Sequence, residues 1–221
     1  ELNKFFIHDF YTSHEGLLLE YEEALTRKDN LDNKWYNCSS HTIWIGNRTR
    51  NVDSAHVEFA SGIENPIGIK LGPDLDGEEL IGLINKLNPN NEMGKLILIA
   101  RFGVCHIEKK LNELIRIIKK ERKNVLWICD PMHGNTIFKN KYKTRFYDDI
   151  ISELKYFFII HKNNKTVPGG IHIEYSSEHV TECLGGPDNI VEDDLIKNYK
   201  TACDPRLNLN QCVDLVFQVS E

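Results

Sequence analysis

The stretch Val125-Leu-Trp-Ile-Cys-Asp-Pro-Met-His-Gly-Asn-Thr136 decides how this chain is read. Its first half is a short apolar run, the pattern of a strand buried on both faces. Pro131, Gly134 and Asn135 break the second half into a loop, and that loop carries His133. An imidazole just past the carboxyl end of a buried strand sits where sheets and barrels of the α/β class keep their chemistry.

Similar runs recur on either side. TIWIG from Thr42, PIGIKLG from Pro66, LILIAR from Leu96, GIHIE from Gly170 and YKTACD from Tyr199 join VLWICD as expected strands. Helical periods lie between them at 77–87, 106–120, 145–161 and 188–198, with a last one over 208–221 and a weaker one over 50–62. Leu111, Leu114, Ile115, Ile117 and Ile118 have helix spacing, with Lys109, Lys110, Lys119 and Lys120 on the other side. Strands alternating with helices define a parallel βα array. Six such units are too few for a closed eight-stranded barrel and slightly many for a small doubly wound sheet. A barrel without its opening strands also gives six. No glycine-rich phosphate fingerprint follows any strand, which leaves a nucleotide-binding sheet without support.

Before the array, residues 1–11 show no period. Thr12-Ser-His-Glu15 reads as a capping box opening a helix to about Arg27, with Leu17, Leu18, Tyr21 and Leu25 on its apolar side. Residues 28–40 read as a polar connection. The expected division is therefore an N-terminal segment with one helix over 1–40 and the βα array over 41–221.

Composition limits the function. A chain of 221 residues with 41% hydrophobic and 27% charged residues is ordinary for a globular protein with a sizeable core. A net charge of −6, with no basic run to offset it, argues against nucleic acid as a partner. No apolar run approaches the ~18 residues of a membrane helix, and no signal peptide is visible. Six cysteines without any CxxC disfavour a structural zinc site and a disulfide scaffold. The expectation is an intracellular, reducing location, with the glycosylation-like triplets at Asn37, Asn47 and Asn164 as chance matches. The start at Glu1 rather than Met points to a processed chain or a fragment.

The strand ends form an ordered series. The first three carry cations: Asn47-Arg48-Thr49-Arg50, then Lys70, then Arg101. A single Arg or Lys is most often a solvated surface cation. Three on successive strand ends, each beside a Gly or Pro turn, suit a phosphate or a phosphate plus carboxylate. The last three offer His133, Glu174 and Asp204. One imidazole and two carboxylates suit a divalent ion such as Mn²⁺, Co²⁺ or Zn²⁺. Taken singly, His133 capping a turn, Glu174 pairing with a surface cation and Asp204 starting a helix are equally good readings. Cys203 beside Asp204 fits core packing, a metal neighbour or a redox partner.

WIGNRTR (44–50), NPIGIKLGP (65–73), DPMHGNT (130–136), KTR (143–145), PGGIHIE (168–174), VTECLGG (180–186) and ACDPRLN (202–208), with YTSHE (11–15) and YEEALTR (21–27) before them, resemble the class II, plant-type 3-deoxy-D-arabino-heptulosonate 7-phosphate (DAHP) synthases. The resemblance covers nearly the whole chain. It implies a (β/α)8 TIM barrel, of which about six βα units are present. The implied reaction condenses phosphoenolpyruvate with erythrose 4-phosphate, the first step of the shikimate pathway. It implies that Arg48, Lys70 and Arg101 bind phosphoenolpyruvate beside Asn47, and that Lys143 and Arg145 contact the second phosphate. His133, Glu174 and Asp204 become metal ligands, with Mn²⁺ as first choice, and Lys70, His133 and Lys143 take catalytic roles. It also implies a cytoplasmic enzyme (plastid in a plant) and a homo-oligomer in the full-length form.

Two departures stand out. Family members usually have an acidic residue where this chain has Asn47. The family's first two strands, with a Gly-Asp-Cys-Ala-Glu segment that supplies a fourth metal ligand, are not in this sequence. Two expectations follow: a portion of a full synthase, or a catalytically impaired barrel remnant that binds metabolites or a partner subunit.

Overall fold

Five of the six expected strands form, and a sixth comes from a stretch whose pattern suggested a helix start. The computed structural model describes residues 10–220; Glu221 and residues 1–9 of the unperiodic segment lie outside the described residues. The chain divides into two units, each described separately.

The first unit runs to Lys70 and adds Asp76–Leu98 and Arg122–Leu126. Its elements are β1 (Ser13–Glu15), α1 (Leu19–Ala24), β2 (Thr26–Lys28), β3 (Trp35–Asn37), β4 (Thr42–Ile45), α2 (Ala55–Ser61), β5 (Ile67–Leu71), α3 (Gly77–Leu87) and most of β6 (Leu96–Ala100). β4 pairs in parallel with β1 on one side and β5 on the other. Every residue of β5 is buried, which is why its sequence is a continuous apolar run rather than an alternation. Ile43, Ile45, Ile67 and Ile69 form the core with Val57, Ala60, Leu80, Leu83 and Ile84 from the two helices. α3 begins where expected because the Asp76 carboxylate accepts from Glu79 N at 2.8 Å.

The capping box does not form. Thr12 is held instead by His41: its amide donates to His41 Nδ1 at 3.0 Å, and the amides of His41 and Thr42 donate to Thr12 O. Those contacts align Ser13–Glu15 with Thr42–Trp44 as a strand, and the helix shrinks to α1, with no side-chain cap. The polar connection is an antiparallel hairpin, β2 against β3.

The second unit comprises Leu71–Leu75, Ile99–Glu121 and Trp127–Glu221. Beyond the last residues of β6 it contains α4 (Ile107–Lys120), β7 (Leu126–Cys129), β8 (Ile137–Lys139), β9 (Tyr142–Thr144), α5 (Tyr147–Asn164), β10 (Pro168–Ile171) and α6 (Leu209–Ser220). β10 pairs in parallel with β7. Leu111, Leu114, Ile115 and Ile118 of α4 are buried as their spacing predicts, and α4 packs on α5, which buries Ile150, Leu154 and Phe157.

Across the described residues the main sheet has six strands in the order β1-β4-β5-β6-β7-β10, an α/β arrangement with a parallel sheet. The expected count of six holds through two offsetting errors. Ser13–Glu15 enters the sheet, and Tyr199–Asp204 does not form a strand. The helix expected over 188–198 is reduced to a short 3₁₀ turn at Glu192–Asp194, where the Asp194 carboxylate takes the Val191 amide at 2.9 Å and the Lys197 ammonium. Short polar side chains that bond nearby backbone compete with helix formation in this way. No helix among the described residues is long and apolar enough to cross a membrane. All six cysteines are free thiols.

Candidate functional site

β7 ends at Cys129, and the next residue, Asp130, is completely buried. Its Oδ1 accepts from the amides of Met132 at 3.0 Å and His133 at 3.2 Å, which bends the chain into a 3₁₀ turn at His133–Asn135. Its Oδ2 lies 2.7 Å from His133 Nδ1. An ionised carboxylate only accepts, so Nδ1 keeps its proton and Nε2 is the nitrogen that offers a lone pair once its own proton is given up.

That nitrogen faces two further carboxylates. Glu174 Oε1 lies 3.4 Å from Nε2 and Asp204 Oδ2 lies 4.0 Å from it. One ligand atom from each of the three residues falls within 4.8 Å of the others. Donors about 2.0–2.2 Å from a shared divalent ion have separations in this range. The donor set, one nitrogen and two oxygens, fits such an ion, and Asp130 supplies the carboxylate partner that metal-binding imidazoles characteristically have.

The electrostatics agree. Burial works against charge on His133, but the carboxylates of Asp130 and Glu174 outweigh it and raise the imidazole to about 9. Burial likewise opposes ionisation of Glu174 and Asp204. His133 and Arg145 nevertheless hold Glu174 below its ordinary value, and Lys143 leads the contacts that do so for Asp204. Three carboxylates, those of Asp130, Glu174 and Asp204, converge on His133, and a divalent cation at Nε2 would take the place of the proton they favour there.

The surrounding loops are pinned from below. Glu153 of α5 is buried, and its Oε1 accepts from the amides of Phe102 at 3.1 Å and Gly103 at 2.9 Å. Its Oε2 accepts from Asn135 Nδ2 at 2.7 Å. One carboxylate therefore joins the loop after β6 to the loop after β7. The two backbones approach so closely that a Cβ on Gly134 would lie 2.3 Å from Gly103 N, and Gly103 itself has φ +80°. Arg101 is brought to the same place, its Nη2 donating to His133 O at 3.2 Å.

Lys143 and Arg145 arrive on the β8–β9 hairpin, whose turn residues Asn140 and Lys141 both have positive φ. Lys143 Nζ is 3.3 Å from Asp204 Oδ1. Arg145 is fully buried. Its Nη1 donates to Glu174 Oε2 at 2.8 Å and to Pro205 O, and its Nε donates to Thr136 Oγ1 at 3.1 Å. That leaves Arg145 orienting a candidate metal ligand, with Nη2 the one atom of its guanidinium that has no hydrogen-bond partner.

The remaining expected residues belong to the first unit. Arg48 is exposed in the turn after β4, and Asn47 Oδ1 accepts from Arg50 Nε at 3.2 Å. Arg50, which the motif also carries, is buried against Glu79. Lys70 is buried near the end of β5 with its ammonium 5.5 Å from the centre of the Trp44 ring.

With this geometry in place, comparison with known proteins decides the family. The description "Class-II DAHP synthetase family" matches residues 2–220. The chain belongs to that family. It is 51% identical over 214 residues to a phospho-2-dehydro-3-deoxyheptonate aldolase of Streptomyces coelicolor, covering 96% of this chain and 48% of the relative. It is 45% identical over 230 residues to the protein of that name in Neurospora crassa, again covering 96% and 48%. The chain thus spans about half the length of these curated relatives.

The second unit of this class-II DAHP synthetase chain brings together His133, Glu174 and Asp204 with Arg101, Lys143 and Arg145. Sequence reasoning missed the groups that hold them. Asp130 stands in DPMHG and was open to recognition by its spacing of three from His133. The β8–β9 hairpin was signalled by alternating residues around Asn140-Lys141. Glu153 carried no signal, since it reads as one more polar position on a helix.

Proposed function

We propose that this chain carries the metal-holding and substrate-holding residues of a DAHP synthase, which joins phosphoenolpyruvate to erythrose 4-phosphate with water to give DAHP and phosphate. The observation that carries the reading is the His133–Glu174–Asp204 cluster, backed by Asp130, in a chain matching the family over residues 2–220. His133, Glu174 and Asp204 would hold a divalent ion, Mn²⁺ by preference and Co²⁺ or Zn²⁺ as alternatives, which would supply Lewis-acid polarisation of the aldehyde oxygen.

The protein's own groups do the rest. Arg48, Lys70 and Arg101 hold the phosphate and carboxylate of phosphoenolpyruvate, the arginines as planar forks and the lysine as a point charge. Asn47 adds an amide beside that substrate. Lys143 takes the phosphate of the aldehyde, and Arg145 keeps Glu174 in register rather than meeting substrate directly. Fixing both reactants converts a two-body encounter into a positioned one. The enol carbon then bonds to the aldehyde carbon as the C=O π pair passes to the aldehyde oxygen, which takes a proton. Water adds to the resulting oxocarbenium-like carbon and gives up a proton, and the C–O bond to phosphate breaks as that carbon forms the ketone C=O.

The test is a paired measurement. Calorimetric titration with Mn²⁺ should show one site, removed by His133→Ala with the fold intact by circular dichroism. Phosphate release should require both phosphoenolpyruvate and erythrose 4-phosphate, at ~1–10³ s⁻¹ for an ordinary enzyme. Unchanged Mn²⁺ affinity in His133→Ala would reject the site. Metal binding without turnover would favour the second reading, a barrel portion that binds metabolites, which the replacement of an acidic residue by Asn47 also favours.

A further inference from the structure

We propose that Glu182 is a positioning residue for the candidate metal site, its buried carboxylate serving as the template on which the Asp204 loop is folded. The proposal rests on the metal-site reading above and adds a residue to it.

The segment expected as a strand from Tyr199 is a loop. Residues 199–206 contain neither strand nor helix, yet they carry a candidate ligand whose side chain must be held to a fraction of an ångström. Backbone amides of a partly buried loop need acceptors. Three of them converge on one group. Glu182 Oε1 accepts from Lys200 N at 3.1 Å and Thr201 N at 2.8 Å, and Oε2 accepts from Arg206 N at 2.8 Å. The side chain of Arg206 adds Nε to Oε2 at 3.0 Å and Nη2 to Oε1 at 2.7 Å. Five donors, on both sides of Asp204 in sequence, meet a carboxylate with 0% of its residue surface exposed. Within the loop the bonds are Thr201 Oγ1 to Asp204 O at 2.8 Å, Cys203 N to Thr201 Oγ1 at 3.2 Å and Cys203 Sγ to Asp204 Oδ2 at 3.5 Å.

The template is itself fixed to the site. Glu182 O accepts from Thr144 Oγ1 at 2.8 Å, and Leu184 N donates to Arg145 O at 2.8 Å. Glu182 therefore hangs from the strand that carries Lys143 and Arg145, and it folds around itself the loop that carries Asp204. Both of its oxygens are saturated, so it has no lone pair to offer an ion. Its effect on metal passes first through Asp204, with a lesser route from Pro205 O through Arg145 to Glu174. A neutral amide cannot replace it, because every direction around the carboxylate faces an N–H and an NH₂ group would have to point at one of them.

The decisive experiment is a double-mutant cycle on Mn²⁺ affinity, measured by calorimetry on Glu182→Gln, Asp204→Ala and the pair, with the absorption spectrum of the Co²⁺-loaded protein as a second readout. Glu182→Gln should weaken Mn²⁺ binding ~10–100-fold, the usual cost of losing an outer-shell partner, and should change the Co²⁺ bands. On the Asp204→Ala background the same change should cost less than twofold. Should Glu182→Gln fail to fold, Arg206→Gln, which removes two of the five donors, should still reduce affinity in wild type and not in Asp204→Ala. Affinity within twofold of wild type with unaltered Co²⁺ bands, or an equal loss on both backgrounds, would overturn the proposal. Unchanged affinity in His133→Ala would overturn the metal site itself and this proposal with it, so the two failures are separable.

Discussion

The loop after β7 and the loop before α6 each deliver one donor to the same cluster, His133 from the first and Asp204 from the second, 4.0 Å apart. They are built in opposite ways. The first is local: Asp130 fixes the amides two and three residues on and then the imidazole itself, and Asn135 bonds back to Pro131 O at 2.8 Å. The second has a few bonds within 201–204, but its amides on both sides of Asp204 are gathered by Glu182, about twenty residues earlier. A ligand can thus be placed by its own turn or by a distant template, and the two designs fail differently. Damage to a local turn disables one donor. Damage to a template displaces the loop around it.

The largest effect that separates the two designs is expected at Asp130. In Asp130→Asn the amide NH₂ faces His133 Nδ1, which must become the acceptor, so the proton moves to Nε2 and the lone pair there is lost. Loss of such a partner costs ~10–100-fold in metal affinity, and the upper end is expected because the tautomer reverses. Calorimetry with Mn²⁺ checks it. A second prediction accompanies it: the variant should keep the positions of Glu174 and Asp204, so a single-donor loss should appear in the Co²⁺ spectrum. Affinity equal to wild type would show that the imidazole is oriented by something other than Asp130.

The next effect in size concerns Glu153, which ties the loop after β7 to the loop after β6. Burial, reinforced by Asp130, raises its carboxyl to about 8 against the pull of the Gly103, Phe102 and Asn135 donors. A raised carboxyl means that the folded state binds a proton that the unfolded chain, at an ordinary value near 4.5, has already released. The contribution is full below about 4.5 and is lost as pH rises through about 8. Stability should fall by about 1.4 kcal/mol per pH unit inside that window, or about 2 kcal/mol from about pH 6 to about 7.5, relative to Glu153→Gln. Urea denaturation at the two pH values measures the difference. Parallel pH dependence in the two proteins would remove Glu153 from the account.

The contrast between local and distant support also explains what was legible in the sequence. β7 and His133 were readable because an apolar run followed by Pro, Gly and Asn is a local pattern, and α3 and α4 because helix spacing is one. The three metal candidates were found together only because strand ends in a parallel array share a side. Asp204 was assigned to that series on a false premise, since 199–204 is not a strand; a loop, not a strand end, places it beside His133 and Glu174. What set its position, Glu182, looks in sequence like any acid in VTECLGG. Ser13–Glu15 failed in the same manner, because His41 decides its conformation from 27 or so residues away and a capping box is judged from its own four residues. Arg145 was legible as a cation of the KTR motif but not as a buried support for Glu174, for burial is a property of the whole fold.

The smallest prediction tests whether pH acts at the site or away from it. α5 carries His161 two turns beyond Glu153, fully buried, with its ring 6.1 Å from Trp127 at the opposite end of β7 and 4.5 Å from Phe157. Nδ1 has Thr166 Oγ1 at 2.8 Å, whereas Nε2 has no partner, and burial lowers the imidazole to about 4. Here the sign reverses. The unfolded chain takes up a proton near 6.5 that the folded one refuses, so stability is lost as pH falls from about 6.5 towards 4. Between about pH 6 and 5 wild type should lose about 1 kcal/mol more than His161→Leu. Because Trp127 and His161 lie at the end of β7 away from His133, the substitution should leave Mn²⁺ affinity at pH 7 within twofold, whereas Glu153→Gln, which loosens Asn135 and the Gly103 loop, should lower it. Equal effects of the two variants on metal binding would mean that β7 transmits strain along its length and that the His133 turn is less self-contained than its hydrogen bonds imply.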